Sequence, residues 1–288
     1  MKALIFSLIL FFIYFDSEKI ETTTTDPFDE ITICHDFGPG MEQFIDDPEF
    51  IKFHPSPEII NYEAEGNMID FDTPDGKKAS GYLIEASNKS SNKWLFVYQE
   101  WWGLNDQIKR QADIFYKDLG GNVNVIALDM YDGKVTTDSQ EAGQFMRSAS
   151  EERLQSIVKG AQEFAGSDAM IANVGWCFGG GWSLKSALIT GEQNIGSVMY
   201  YGMPVQDVDM LKTLSSDVLG LFATEQYISK EIIETFASNM EAAGKDLEYK
   251  IFDAAHGFAN PSNPRHDPAA SEEAYSMALS YLKDKFSE

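Results

Sequence analysis

The stretch "NVGWCFGGGWSL" (173–184) sets Cys177 between Gly175 and the run Gly179–Gly181. Glycine is costly in regular structure, so such a cluster marks a sharp bend or a close backbone approach. The residues before it, "IANV", read as a buried strand, and "SLKSALI" after it as a helix. A residue presented at the tip of a strand-to-helix turn needs a positive φ. Its neighbours two before and two after must then lack Cβ atoms, so that strand and helix can pass. A sulfur held there meets the positive end of the following helix, which favours the reactive thiolate. The backbone N–H of Phe178 is left free to bind a developing oxyanion. This is the chemistry of a thiol nucleophile attacking an acyl carbon.

Such a nucleophile needs a base, and the chain has four histidines. His35 and His54 fall in an irregular N-terminal stretch, and His266 in the loop "PRHDP". His256, in "AAHGFAN", follows the last expected strand at the same sheet edge as the Cys177 turn, and is expected to take the thiol proton. Glu225 is the first acid after the apolar run "VLGLFAT" and is expected to orient the imidazole. Asp217 precedes that run, and Asp253 would have to fold back from its own strand. A second oxyanion donor is expected from the turn Gln99-Glu100-Trp101-Trp102-Gly103, through the Trp101 backbone N–H. Trp101 and Trp102 would wall the pocket. No H-x₃-H, H-E-x-x-H or paired-cysteine spacing occurs, so neither metal nor cofactor is expected.

Positioning these groups requires a sheet. The runs 94–99, 124–129, 170–176, 195–202, 218–224 and 247–254 are apolar and short, as strands covered on both faces are. Helical spacing separates them, notably at 138–148, 151–165, 229–243 and 269–286. "NMIDFDTPDGKKASGYLIEA" adds a hairpin around Pro74-Asp75-Gly76. The pattern predicts one α/β domain over 67–288, a mostly parallel sheet with helices on both faces and an antiparallel hairpin at one edge. Nucleophile turn, acid and base then follow in the chain order of the α/β-hydrolase fold.

"VYQEWWGLNDQIKRQADIF", "VIALDMYDG", "VGWCFGGGWSL" and "AAHGFAN" together resemble the dienelactone hydrolase family. The likeness runs from about residue 67 to 286. It implies a Cys177–His256–acid triad that hydrolyses esters or lactones through a thioacyl-enzyme. It also implies that Glu100 lies beside the thiol and helps control its protonation. Two departures stand out. The family acid is usually Asp in a G-x-x-D loop, where this chain has Ala223-Thr224-Glu225. Dienelactone-cleaving members carry an arginine soon after the histidine to grip a carboxylate, and here Asn260 stands at that place.

Lys+Arg 22 against Asp+Glu 46 gives a formal charge of −24. That surface repels phosphate backbones and anionic bilayers, so the expected partner is a small ester or lactone, preferably neutral. The sequence leaves the oligomeric state open. Lys2 precedes an apolar run, Ala3–Phe15, too short to span a bilayer and built like a secretory leader over 1–17. Export is therefore expected, with no stable membrane association once the leader is removed. Residues 18–66 read as a partly disordered extension, with a threonine-rich acidic spacer at 17–27. Two readings from other classes stay open here: a non-catalytic small-molecule binder on the same fold, and a redox sensor pairing Cys177 with Cys34.

Overall fold

Six buried apolar runs and the hairpin assemble into one mixed sheet. The structure is a computed structural model that describes residues 36–287, which belong to one compact unit. The expected leader, the acidic spacer, Cys34 and His35 lie outside the described residues.

The described chain opens with a 3₁₀ turn, Met41–Phe44, and a short helix, α1 (Pro48–Phe53). The hairpin strands β1 (Asn67–Asp72) and β2 (Lys78–Ile84) follow. Next come β3 (Lys93–Tyr98), α2 (Asp106–Asp118), β4 (Asn124–Leu128), α3 (Ser139–Ser148) and α4 (Glu151–Ala165). Then β5 (Met170–Trp176) leads into α5 (Phe178–Thr190), β6 (Asn194–Tyr200) and α6 (Val208–Leu211). The chain finishes with β7 (Val218–Ala223), α7 (Lys230–Ala243), β8 (Leu247–Phe252) and α8 (Pro268–Ser287).

Local chemistry explains the boundaries. Asn105, Asp138, Ser150 and Ser229 each accept a backbone N–H at the start of α2, α3, α4 and α7, satisfying donors that a helix start leaves orphaned. In α8 the buried residues are Ala274, Ala278, Leu282 and Phe286, one turn apart on a single stripe. Helix α5 is buried almost all round, as its uninterrupted apolar content requires. The elements that the sequence left unassigned are α1, α6 and the two 3₁₀ turns, Met41–Phe44 and Gly191–Gln193, each too short to show a period.

The sheet has the order β1-β2-β4-β3-β5-β6-β7-β8. β1 and β2 run antiparallel at one edge, and β3 through β8 are parallel. Helices cover both faces, as expected of this fold class. From β3 the chain first moves outward to β4 and then crosses to β5 on the other side. Ligands in open α/β sheets bind at such a reversal, beyond the strands' carboxyl ends. The turn after β3 and the turn after β5 both emerge there, because Tyr98 pairs with Gly175 in register.

Candidate active site

Cys177 has φ 58° and ψ −119°, a conformation a non-glycine residue adopts only when its surroundings enforce it. The enforcement is steric. A Cβ on Gly175 would come within 2.0 Å of the Gly179 carbonyl oxygen, and one on Gly179 within 2.3 Å of the Gln99 oxygen. The expected roles of those two glycines therefore have a direct physical basis. The Cys177 N–H donates to the Tyr200 carbonyl at 3.0 Å, which ties the bend to β6. No side chain caps α5, so its first N–H, from Phe178, has no intrahelical acceptor and lies next to the sulfur-bearing residue.

His256 and Glu225 arrive from neighbouring strands. Ala223 pairs with Phe252 at the ends of β7 and β8, and the Thr224 N–H then donates to Ala254 at 3.0 Å. This stitching places the two following loops side by side. His256 Nδ1 lies 2.7 Å from Glu225 Oε1, with both side chains buried. A bond on Nδ1 leaves Nε2 as the nitrogen available to the sulfur. Burial alone would lower the His256 pKa. The Glu225 carboxylate and the Cys177 sulfur outweigh it and raise the value to about 10.

Glu100 occupies the turn after β3 and is buried. Burial raises its pKa to about 7, against the opposing pull of Asn260 and His256. Asn260 Nδ2 donates to Glu100 Oε2 at 2.5 Å. Asn260 thus fills a polar role toward Glu100 at the position where an arginine was the point of comparison. Trp101 and Trp102 are both buried and pack edge to face, with ring centroids 5.0 Å apart.

The segment that covers these groups has no role in the sequence reading. Met41 Sδ accepts from the Cys177 thiol at 3.9 Å. From α1, Phe50 meets the Trp101 ring edge to face at 5.8 Å. His54, just past α1, is wedged between Trp101 and His256, with both ring centroids 4.6 Å away. Phe53 lies over His256 at 6.1 Å. The cover is fastened by the Tyr227 hydroxyl donating to Asp47 at 2.9 Å and by Glu58 N–H donating to Ser262 at 2.7 Å. Cys177 is consequently only 3% exposed. A groove of about 530 Å³ between Phe37–Phe44 and Met203–Asp207 runs beside the cover, and its lining does not include Cys177 or His256.

His54 is the residue that sequence reasoning missed. Its Nδ1 donates to the Phe50 carbonyl at 2.8 Å, one turn back in α1. Burial, and then the charge of His256, hold its pKa well below the usual imidazole range. One local signal existed: Asp47-Pro48-Glu49 is a helix start, with the Asp47 side chain accepting from Glu49. One ligating atom each of His54, Cys177 and His256 fall within 4.8 Å of one another.

The dienelactone hydrolase family model matches residues 80–286. The chain belongs to the dienelactone hydrolase family. As a member of that family it is a hydrolase of the carboxylic ester and lactone class. A protein of Aquifex pyrophilus named protein usf is 24% identical over 230 residues, covering 76% of this chain and 98% of the relative. A protein of Saccharolobus solfataricus provisionally named carboxymethylenebutenolidase is 25% identical over 248 residues, 73% of this chain and 95% of its own. Among solved structures, a dienelactone hydrolase-like promiscuous phosphotriesterase from metagenomic libraries superposes with a TM-score of 0.65. It is 20% identical and covers 77% of this chain and 99% of its own. A dienelactone hydrolase from Anabaena variabilis gives 0.57 at 15% identity, over 77% and 98%. These superpositions establish a shared fold. The span matched by the dienelactone hydrolase family model starts after Met41 and His54, so the covering segment stands outside it.

Proposed function

We propose that this chain hydrolyses carboxylic esters or lactones through a thioacyl intermediate on Cys177. His256, its pKa raised by Glu225 and the sulfur, holds the thiol proton while the thiolate attacks the acyl carbon, and gives it to the leaving alkoxide. Glu225 holds the imidazole so that Nε2 faces the sulfur. The backbone N–H groups of Phe178 and Trp101 bind the oxyanion of each tetrahedral intermediate. A water that gives its proton to His256 then attacks the thioester, and the acid departs as the thiol re-forms.

The observation that carries the reading is a single juxtaposition. A cysteine forced to positive φ at an uncapped helix start has, within 4.8 Å, an imidazole nitrogen whose ring is bound to a buried carboxylate at 2.7 Å. Structural packing alone does not call for that combination of a strained backbone and a buried charge partner. The preferred substrate is a neutral acyl group, because Asn260 supplies no cation and the chain carries −24.

Release of p-nitrophenol from short acyl esters tests the proposal. Cys177→Ala should abolish turnover and Cys34→Ala should leave it, while quenched wild type should carry an acyl adduct on the peptide containing Cys177. Turnover that survives in Cys177→Ala would overturn the mechanism. A panel of matched esters should rank neutral acyl groups above dicarboxylate-derived ones, and the reverse order would remove the substrate assignment.

A further inference from the structure

We propose that His54, Cys177, His256 and Met41 together form a binding site for a soft monovalent metal ion, Cu(I). The three residues of its core lie far apart in the chain, at 54, 177 and 256, so no spacing motif announces them. The fold nevertheless brings one ligating atom of each within 4.8 Å of the others. Met41 adds a thioether sulfur 3.9 Å from Cys177 Sγ. The resulting donor set is a thiolate, a thioether and two imidazoles.

Both imidazoles are set up as ligands by their outer partners. His54 donates Nδ1–H to the Phe50 carbonyl at 2.8 Å, and His256 Nδ1 pairs with Glu225 at 2.7 Å. Each bond fixes the ring's orientation and leaves Nε2 as the nitrogen that can ligate, the arrangement that orients metal-ligating histidines generally. Both Nε2 atoms are buried, and His54 Nε2 makes no hydrogen bond among the described residues. Burying such an acceptor without a partner is costly, and a cation between the rings would satisfy it.

The donor set selects the metal. Thiolate and imidazole suit both zinc and Cu(I), and the Met41 thioether, which is not among zinc's usual ligands, favours Cu(I); hard cations demand oxygen ligands. Ligands at about 2.0–2.3 Å from a tetrahedral centre stand about 3.3–3.8 Å apart, so the cluster needs to contract by about 1 Å. Side-chain rotation supplies that. Binding is not a redox step. The Cys177 S–H and the His256 Nε2–H give their protons to solvent, S–Cu and N–Cu bonds form in their place, and no electron moves. The ion would pin the covering segment to the turn after β5. It would also occupy the sulfur and the His256 lone pair, silencing hydrolysis; that consequence rests on the function proposed above.

The test is an anaerobic titration of the metal-free full-length protein with Cu(I), in competition with a chromogenic Cu(I) chelator. Wild type should withdraw one equivalent. Cys177→Ser should abolish binding, and His54→Ala and Met41→Leu should each weaken it at least tenfold. Circular dichroism and thermal melting of each variant show whether it is folded. Cys34→Ser should bind like wild type. Failure to withdraw copper, undiminished binding by folded His54→Ala, or loss of binding in Cys34→Ser would each overturn the site. Ester hydrolysis by the metal-free sample is measured in parallel. Its absence would refute the hydrolase mechanism and leave the copper titration intact, so the two failures are distinct.

Discussion

The thioether of Met41 stands 3.9 Å from Cys177 Sγ, so the candidate nucleophile is roofed by a residue 136 positions earlier in the chain. Nothing larger than a proton fits between them, and access to the sulfur requires the segment around α1 to lift. The Tyr227–Asp47 hydrogen bond fastens that segment from outside the reaction centre. A typical hydrogen bond contributes about 1 kcal/mol net, which corresponds to about a fivefold change in an opening equilibrium. Tyr227→Phe should therefore speed alkylation of Cys177 by iodoacetamide about fivefold, read by mass spectrometry of the labelled peptide. An unchanged rate would mean that the cover opens without breaking this contact.

The pairing of His256 with Glu225 leads to a second expectation. Removing the carboxylate's charge while keeping its shape should disturb the imidazole tautomer more than the fold. Glu225→Gln should lower kcat about 10²–10⁴-fold with a much smaller change in KM. Glu225→Asp keeps the charge but shortens the reach by one methylene, and should recover part of the loss. Equal kcat for all three proteins in a p-nitrophenyl ester assay would remove Glu225 from the mechanism.

Why some of this was legible in the sequence and some not has a physical explanation. The turn at Cys177 could be read because its steric demand is local: Gly175 and Gly179 must lack side chains for β5 and α5 to pass. Residues 170–176 and 151–165 kept their full length because burial on both strand faces and a capped amphipathic helix leave strong periodic signals. Glu225 and His256 could be placed because each follows a strand whose carboxyl end must reach the same edge. His54 could not. Helix α1 has six residues, too few for a period, and the partners of His54 are Trp101 and His256. That contact is purely tertiary. The same limit applies to the His54–Cys177–His256 cluster, whose members share no local pattern.

Substitution at two glycines separates steric from backbone costs. A methyl group on residue 175 would sit 2.0 Å from a backbone oxygen, which cannot move without shifting α5 against β5. Gly175→Ala should destabilise the protein by about 3 kcal/mol, the upper end of ordinary overpacking costs. Gly244→Ala is the useful contrast. Its φ of +71° strains any side chain, yet a Cβ there meets nothing within 4 Å. It should cost only about 1 kcal/mol, a backbone term alone. Denaturant midpoints of the two variants compared with wild type decide whether the close approach at Gly175 costs more than a strained backbone with open space around it.

Glu100 carries the last prediction, because its burial makes stability depend on pH in a recognisable way. Its pKa rises from 4.5 to about 7 on folding, pushed by burial, with Asn260, His256 and Tyr201 facing it. Between those values the unfolded chain has released the proton and the folded protein keeps it, so stability falls as pH increases through this window. The full effect is on the order of 3 kcal/mol. His54 acts in the opposite sense, since its folded pKa is depressed and the unfolded imidazole gains a proton below about pH 6.5. His256, whose pKa rises from 6.5 to about 10 on folding, adds a loss of stability as pH increases above 6.5, so the raw stability curve hides all three trends. The difference between Glu100→Gln and wild type isolates the first. Gln keeps an oxygen for Asn260 and has nothing to ionise, so the variant should gain stability relative to wild type from pH 5 to 7. Above pH 8 the advantage should stay level. Urea midpoints at half-unit intervals measure it, and a flat difference across that range would show that Glu100 is ionised throughout.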